Sequence, residues 1–128
     1  MLEITVLVSS PNQAEDVVNC GADAVLLRFD SSAQRSGGER FNRNELAATV
    51  RFCHVSGAKV YVLLDKELTD SSEDALRADI EAACECGVDA LRVNDAGLAR
   101  MVHMLCPKMS LQAGSGPLRR YCKRSEGL

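Results

Sequence analysis

The chain has 128 residues, a net charge of -3 and a hydrophobic share of 46%, with few aromatic residues and no tryptophan. This length fits one domain, and the composition is that of a globular protein with an aliphatic core, which excludes a disordered chain. No apolar run approaches the roughly 20 residues of a membrane-spanning helix, and the first residues lack the basic flank of a signal peptide. We therefore expect a cytoplasmic protein without membrane contact.

Apolar runs alternate along the chain with segments of helical spacing. Leu46, Val50 and Cys53 fall on one helical stripe, and the last periodic segment stops before Pro107. The continuous apolar runs between these segments are typical of strands that are buried on both faces. Strands are predicted over Glu3–Val8, Ala24–Arg28, Lys59–Leu64, Ala90–Val93 and Ser110–Gln112.

One turn pattern occurs three times and joins the predicted helices to the strands. Gly21, Gly57 and Gly87 each follow a small residue and precede two residues and a β-rich run. A glycine at this place takes the left-handed conformation that closes a helix. Repeated helix–turn–strand units of this kind predict a parallel sheet with right-handed crossovers.

The turn after the first strand helps to choose between an open sheet and a barrel. Residues 9–12 contain no glycine, which disfavours the glycine-rich phosphate turn of a dinucleotide-binding sheet. We expect an α/β fold in which residues 1–113 form the first four to five βα units of a (βα)8 TIM-barrel-like structure. Residues 114–128 are basic and are expected to form a disordered or divergent tail.

In such a barrel the working face lies at the C-terminal ends of the strands. The long segment from Arg28 to Asn44 lacks periodicity, and long segments of this kind tend to be functional. Its arginines Arg28, Arg35 and Arg40 are predicted to bind a carboxylate or phosphate of the substrate. A solvated, flexible loop is the alternative interpretation.

Polar residues also follow the later strands. Asp65, Asn94 and Asp95 are further candidates for substrate binding. Asp65 and Asp95 end neighbouring strands and are candidates for a carboxylate pair, but Asp95 also fits the N-cap of the helix that begins at Ala96. Capping is the favoured interpretation.

The six cysteines show no CxxC pair, so they predict packed, reduced thiols and no metal site. His54 and His103 lie on predicted helices and are expected to face the outer ring. None of the common catalytic motifs occurs, so the sequence leaves the catalytic residues unknown.

The ordered set of glycine turns resembles the N-terminal region of peptidase family U32, the collagenase-like peptidases. The similarity is carried by the segments 19–25, 57–62 and 86–97 and by the helix start at Phe41–Leu46, and it covers about Leu2 to Ala113. After Ala113 the sequence departs from the family pattern. The family's signature of glutamate, phenylalanine, glycine and cysteine lies downstream of the matched region.

The resemblance implies an N-terminal fragment of a peptidase or of a related enzyme that hydroxylates tRNA or ribosomal RNA, and we expect it to be inactive alone. It implies a peptide or RNA substrate. It also implies that any iron–sulfur cluster is held by downstream cysteines, so that no cofactor is expected in this chain. The alternative is a non-enzymatic half-barrel that associates with itself or a partner through its exposed sheet edges.

Overall fold

The computed structural model describes residues 3–31, 40–64, 73–113 and 119–120. Within them, strands and helices alternate as the sequence predicts, with one additional short strand after β2 and another at the end. The elements are β1 (Thr5–Leu7), α1 (Pro11–Asn19), β2 (Ala24–Phe29), β3 (Arg40–Phe41), α2 (Arg43–Val55), β4 (Lys59–Leu64), α3 (Glu73–Cys86), β5 (Ala90–Val93), α4 (Ala96–Leu105), β6 (Ser110–Ala113) and β7 (Arg119–Arg120).

The strands form one sheet in the order β1-β2-β4-β5-β6-β7, and β3 pairs with β2 beyond the end of β1. Every pair is parallel except β6 with β7. The five long strands thus follow each other in chain order, as in the first part of a (βα)8 barrel. The predicted α/β barrel-like class is confirmed. The division into 1–113 and 114–128 stays a prediction.

The three glycine turns have one geometry, and it explains why each helix ends where it does. Gly21, Gly57 and Gly87 have φ values of +107°, +85° and +85°. After α2, for example, Gly57 N donates to the His54 carbonyl at 3.2 Å and Ala58 N to the Cys53 carbonyl at 2.8 Å. These two bonds satisfy carbonyls that a helix end leaves open, and the chain then turns directly into a strand.

Both faces of the sheet are covered, so the strands read as apolar runs without alternation. The outer face packs against the helices through side chains such as Val25, Val62 and Leu91, all fully buried. The inner face carries a second, smaller apolar cluster formed by Ala24, Leu26, Tyr61, Leu63 and Ala90.

The structure corrects the prediction for the segment from Arg28 to Asn44 and shows how α1 begins. The segment from Arg28 to Asn44 is not a single loop. It begins with the last residues of β2 and ends with β3 and the first residues of α2. Arg40 and Phe41 form β3 because they pair with the end of β2. Ser10 caps α1: its side chain accepts a hydrogen bond from Gln13 N at 3.1 Å, and Pro11 occupies the first helical position.

The prediction that all cysteines are reduced thiols is wrong for one pair. Cys84, in the last turn of α3, and Cys106, the C-cap of α4, form a disulfide across a sequence separation of 22 residues. Sequence spacing did not reveal it, because the two residues meet only when α3 and α4 pack on either side of β5. Cys20, Cys53 and Cys86 are free.

Candidate anion-binding site on the inner face of the sheet

A row of polar residues crosses the inner face near the C-terminal ends of the strands. The strand register aligns Arg28 of β2 with Leu63 of β4, Leu63 with Arg92 of β5, and Arg92 with Gln112 of β6. Residues aligned in this way share one face of a parallel sheet, and Leu63 belongs to the inner apolar cluster. We name Arg28, Arg92 and Gln112 the inner polar row.

Strand spacing fixes the approximate size of this row. Neighbouring strands lie about 4.8 Å apart, so the Cα atoms of Arg92 and Gln112 are roughly 5 Å apart and those of Arg28 and Arg92 roughly 10 Å. Two guanidinium groups and an amide at these spacings can reach a single ligand. Arg40 aligns with Arg28 on the other side of β2 and adds a third guanidinium at the same level.

Burial gives the row its electrostatic character. Arg92 is only 4% exposed, and burial lowers the pKa of its guanidinium from the ordinary value, while the nearby Tyr61 partly offsets this effect. Gln112 is also 4% exposed, and its Oε1 has no hydrogen-bond partner in the part of the chain that the structure describes. A buried polar atom of this kind is costly unless a further group satisfies it.

The inner-face layer next to the row, on the side of the N-terminal strand ends, contains an aromatic side chain, Tyr61. Tyr61 is buried, and its hydroxyl donates to Glu3 Oε2 at 2.8 Å. Register places Tyr61 beside Leu26 and Ala90, one layer nearer the N-terminal ends of the strands. The inner polar row therefore lies next to a layer of apolar side chains. This layer excludes water and so strengthens the electrostatic interactions of the row.

The chain that leaves β2 is anchored from the outside. Asp79 of α3 is 1% exposed, and its Oδ1 accepts hydrogen bonds from Ser31 N at 2.9 Å and Ser31 Oγ at 2.7 Å. Ser31 lies three residues after Arg28, so this contact fixes the end of the strand that carries the arginine.

The structure brings together some of the predicted site residues. Arg28 and Arg40 lie at one level of the sheet. Asn94 and Asp95 are exposed at the end of β5, and Asp95 caps α4 by accepting a hydrogen bond from Gly97 N at 3.2 Å, so the favoured capping interpretation is confirmed. Arg35 and Asp65 lie outside the described residues.

Arg92 and Gln112 were not predicted as site residues, and Gln112 entered the prediction only as the last residue of a strand. Both lie inside strands, whereas most of the predicted site residues follow one. The available signal was a charged residue in an otherwise apolar run, Ala90–Val93, because a buried cation in a strand marks a candidate functional position.

Neither a metal cluster nor a membrane helix is found in the described ranges. No group of three or more histidine, cysteine, aspartate or glutamate side chains there is arranged to hold a metal ion. No helix in the same ranges is long and apolar enough to cross a membrane.

Fold and site together define a protein of the α/β-barrel class with polar side chains on the inner face of its sheet. The family follows from sequence: the model of peptidase family U32 matches residues 9–116, and the chain belongs to this family. The resemblance noted from the glycine turns is thereby confirmed.

Two relatives show the range of names in the family. The chain is 29% identical over 91 residues to the tRNA hydroxylation protein P of Escherichia coli, a match that covers 71% of the chain and 20% of that protein. It is 25% identical over 88 residues to the uncharacterized protease MJ0090 of Methanocaldococcus jannaschii, covering 69% of the chain and 22% of the protease. The chain thus spans about a fifth of the length of these curated relatives.

A solved structure of the family shares the fold. The U32 peptidase Mk0906 superposes with a TM-score of 0.58 at 18% identity, and the match covers 88% of this chain and 47% of that one.

Proposed function

We propose that this chain forms the N-terminal strands of a barrel enzyme that acts on RNA, and that the inner polar row binds a phosphate group of the RNA substrate. The observation that carries the proposal is the alignment of Arg28 and Arg92 on one face of the sheet. A cytoplasmic location and a chain without its own cofactor belong to the same proposal.

The chemistry of the row favours RNA over a peptide. Guanidinium groups bind phosphate through paired, charge-assisted hydrogen bonds. Every nucleotide carries a phosphate, whereas a peptide backbone carries no charge along its length. The Gln112 amide adds a group that accepts a hydrogen bond, such as one from a ribose 2′-hydroxyl. One relative is named for the hydroxylation of tRNA, which is the reaction we propose for the complete barrel.

A binding experiment tests this assignment directly. Fluorescence anisotropy would measure the affinity of the protein for unmodified tRNA and for a collagen-like peptide, at several salt concentrations. We expect RNA binding that weakens with salt. Arg92→Gln should weaken it about tenfold or more, because a hydrogen bond to a charged group contributes about 1.5–3 kcal/mol.

Arg77→Gln is the matched control. Arg77 is an exposed arginine on α3, paired with Glu73 at 3.3 Å, so its loss removes the same charge from the opposite side of the molecule. Equal effects of the two substitutions would refute binding at the inner polar row. Peptide binding that depends on Arg92, without RNA binding, would assign the site to a peptide instead.

A second candidate function, a half-barrel that associates with a copy of itself, is favoured by one observation. β1 pairs only with β2 among the described strands, and Ile4 and Leu7 next to this edge are 52% and 49% exposed. An open strand edge with apolar side chains favours association. Light scattering over a concentration series decides: a stable dimer that Leu7→Lys dissociates supports this function, and a monomer at all concentrations excludes it.

A further inference from the structure

The disulfide between Cys84 and Cys106 lies at the opposite end of the sheet from the inner polar row. Cys84 lies in the last turn of α3, shortly before β5, and Cys106 is the C-cap of α4, shortly before β6. The chain segment between the two bonded cysteines therefore contains β5, the strand that carries Arg92. Neither the family assignment nor the proposed function gives these cysteines a role.

The pair lies at a surface cavity of about 440 Å³. Cys84 and Cys106 both line it, together with Val88, Asp89 and Lys108. Cavities of about 300–1,000 Å³ hold small molecules. Cys84 and Cys106 are both partly exposed and line this cavity, so a small thiol or disulfide can approach them from solvent. Lys108, an exposed residue of the same lining, favours an anionic one.

The other described cysteines lack this combination of access and a partner. Cys53 is fully buried, and burial together with the charge of Asp89 raises the pKa of its thiol to about 11. Burial also raises the pKa of the Cys86 thiol, although Arg43 acts in the opposite direction. Cys20 is exposed and is not paired with another described cysteine. Since the thiolate is the reactive form, the raised pKa values make Cys53 and Cys86 less reactive than an ordinary cysteine thiol.

We propose that Cys84 and Cys106 form a reversible thiol–disulfide site that exchanges with low-molecular-weight disulfides through this cavity. One cysteine thiolate attacks a sulfur of the small disulfide, forms a mixed disulfide and releases one small thiolate. The second cysteine then attacks the mixed disulfide, closes the Cys84–Cys106 bond and releases the other small thiolate. Two protein thiols are oxidised and one small disulfide is reduced to two thiols.

Closing the bond ties α3 to α4 on either side of β5. A disulfide that closes a loop of this length stabilises the folded chain mainly by restricting the unfolded one. We expect the oxidised protein to melt on the order of 10 °C higher than the reduced protein. In a reducing compartment such a pair would be open for part of the time and would report the local thiol balance.

The experiment uses mixtures of reduced and oxidised glutathione as the probe. The reduced protein is equilibrated at graded ratios, its free thiols are trapped with iodoacetamide, and tryptic peptides are identified by mass spectrometry. Trypsin cleaves after Arg77, Arg92 and Lys108, so Cys84 and Cys86 share one peptide and Cys106 lies on another. We expect the cross-linked peptides to appear at an intermediate ratio, with the rise in melting temperature at the same ratio.

Two variants make the assignment specific. Cys86→Ser is the matched control, since Cys86 is two residues from Cys84 and on the same cross-linked peptide, and it should leave cross-linking unchanged. Cys106→Ser should stop the reaction at a mixed disulfide between Cys84 and glutathione. The proposal is overturned if Cys84 and Cys106 stay alkylated at every ratio, if Cys86→Ser abolishes the cross-link, or if the bond persists in the most reducing mixture.

Discussion

At the scale of single residues, Asp79 is a charged side chain buried in the outer layer. It is 1% exposed on α3, and its Oδ1 accepts hydrogen bonds from the backbone and the hydroxyl of Ser31. Asp79→Ala leaves the Ser31 amide without this acceptor, so it should lower the free energy of unfolding by about 2 kcal/mol in urea denaturation.

Glu81→Ala is the control for this substitution. Glu81 lies on the same helix but is exposed, and removing it should change stability by less than about 0.5 kcal/mol. If the two variants unfold at the same urea concentration, the Ser31 contact does not hold the end of β2. Anion binding should fall in Asp79→Ala as well, because Arg28 lies three residues before Ser31.

The buried thiol of Cys53 gives stability a defined dependence on pH. Its pKa is raised from 9.0 to about 11, first by burial and then by the charge of Asp89. A pKa that is higher in the folded than in the unfolded chain stabilises the fold fully below pH 9, and this contribution is lost as pH rises through about 11. It amounts to roughly 2–3 kcal/mol.

The measurement compares the protein with Cys53→Ala. The free energy of unfolding should fall more steeply between pH 9 and 11 in the unchanged protein, although the variant is less stable at every pH because of the cavity it contains. Equal slopes would show that the pKa of Cys53 does not differ between the folded and the unfolded chain.

Arg92 and Gln112 show what residue patterns alone leave out. Arg28 was predicted from its place at the end of a strand, but the partners of Arg28 on the inner face follow from strand register, which fixes which residues align across β2, β4, β5 and β6. A shift of one residue in any strand would turn its polar side chain to the outer face. Register depends on packing of the whole sheet, so the row could not be assembled from local sequence.

At the scale of elements, the glycine turns could be predicted because the residues that determine each turn are neighbours in the sequence. Gly57 has φ of +85°, and a Cβ built on it would meet no atom within 4 Å. Gly57→Ala should therefore cost only the backbone strain of the left-handed conformation, about 1–2 kcal/mol. Thermal or urea denaturation measures this loss.

Gly97→Ala is the matched comparison. Gly97 lies in the first turn of α4 and is not among the glycines with positive φ. Its replacement should be neutral or stabilise the protein by up to about 1 kcal/mol, since alanine favours helix. If Gly57→Ala costs no more than Gly97→Ala, the turn geometry does not require glycine.

Features that depend on contacts between residues far apart in the sequence were not predicted. β3 consists of only Arg40 and Phe41, and its pairing with β2 gives it strand structure that two residues cannot signal by themselves. The Cys84–Cys106 pair depends on the packing of α3 against α4. By contrast, the caps at Asp95 and at Asn42, which forms a capping box with Glu45, follow from residues within one turn.

At the scale of the whole molecule, the sheet has two different edges. β1 stands at one edge, and the antiparallel strand β7 pairs with β6 at the other. A closed barrel has no free edge, whereas β1 pairs only with β2 among the strands that the structure describes. The inner polar row lies near the C-terminal ends of β2, β5 and β6, and this is the end of the strands at which α/β barrels carry their active sites.

The measurement that tests anion binding by the inner polar row most directly is a titration of the ¹⁵N-labelled protein with inorganic phosphate, followed by two-dimensional NMR. We expect the largest shifts at the side-chain signals of Arg28, Arg92 and Gln112, with small changes at exposed Arg77. Shifts that are equal over all exposed basic residues, or that centre on Lys108 at the opposite end of the sheet, would contradict it.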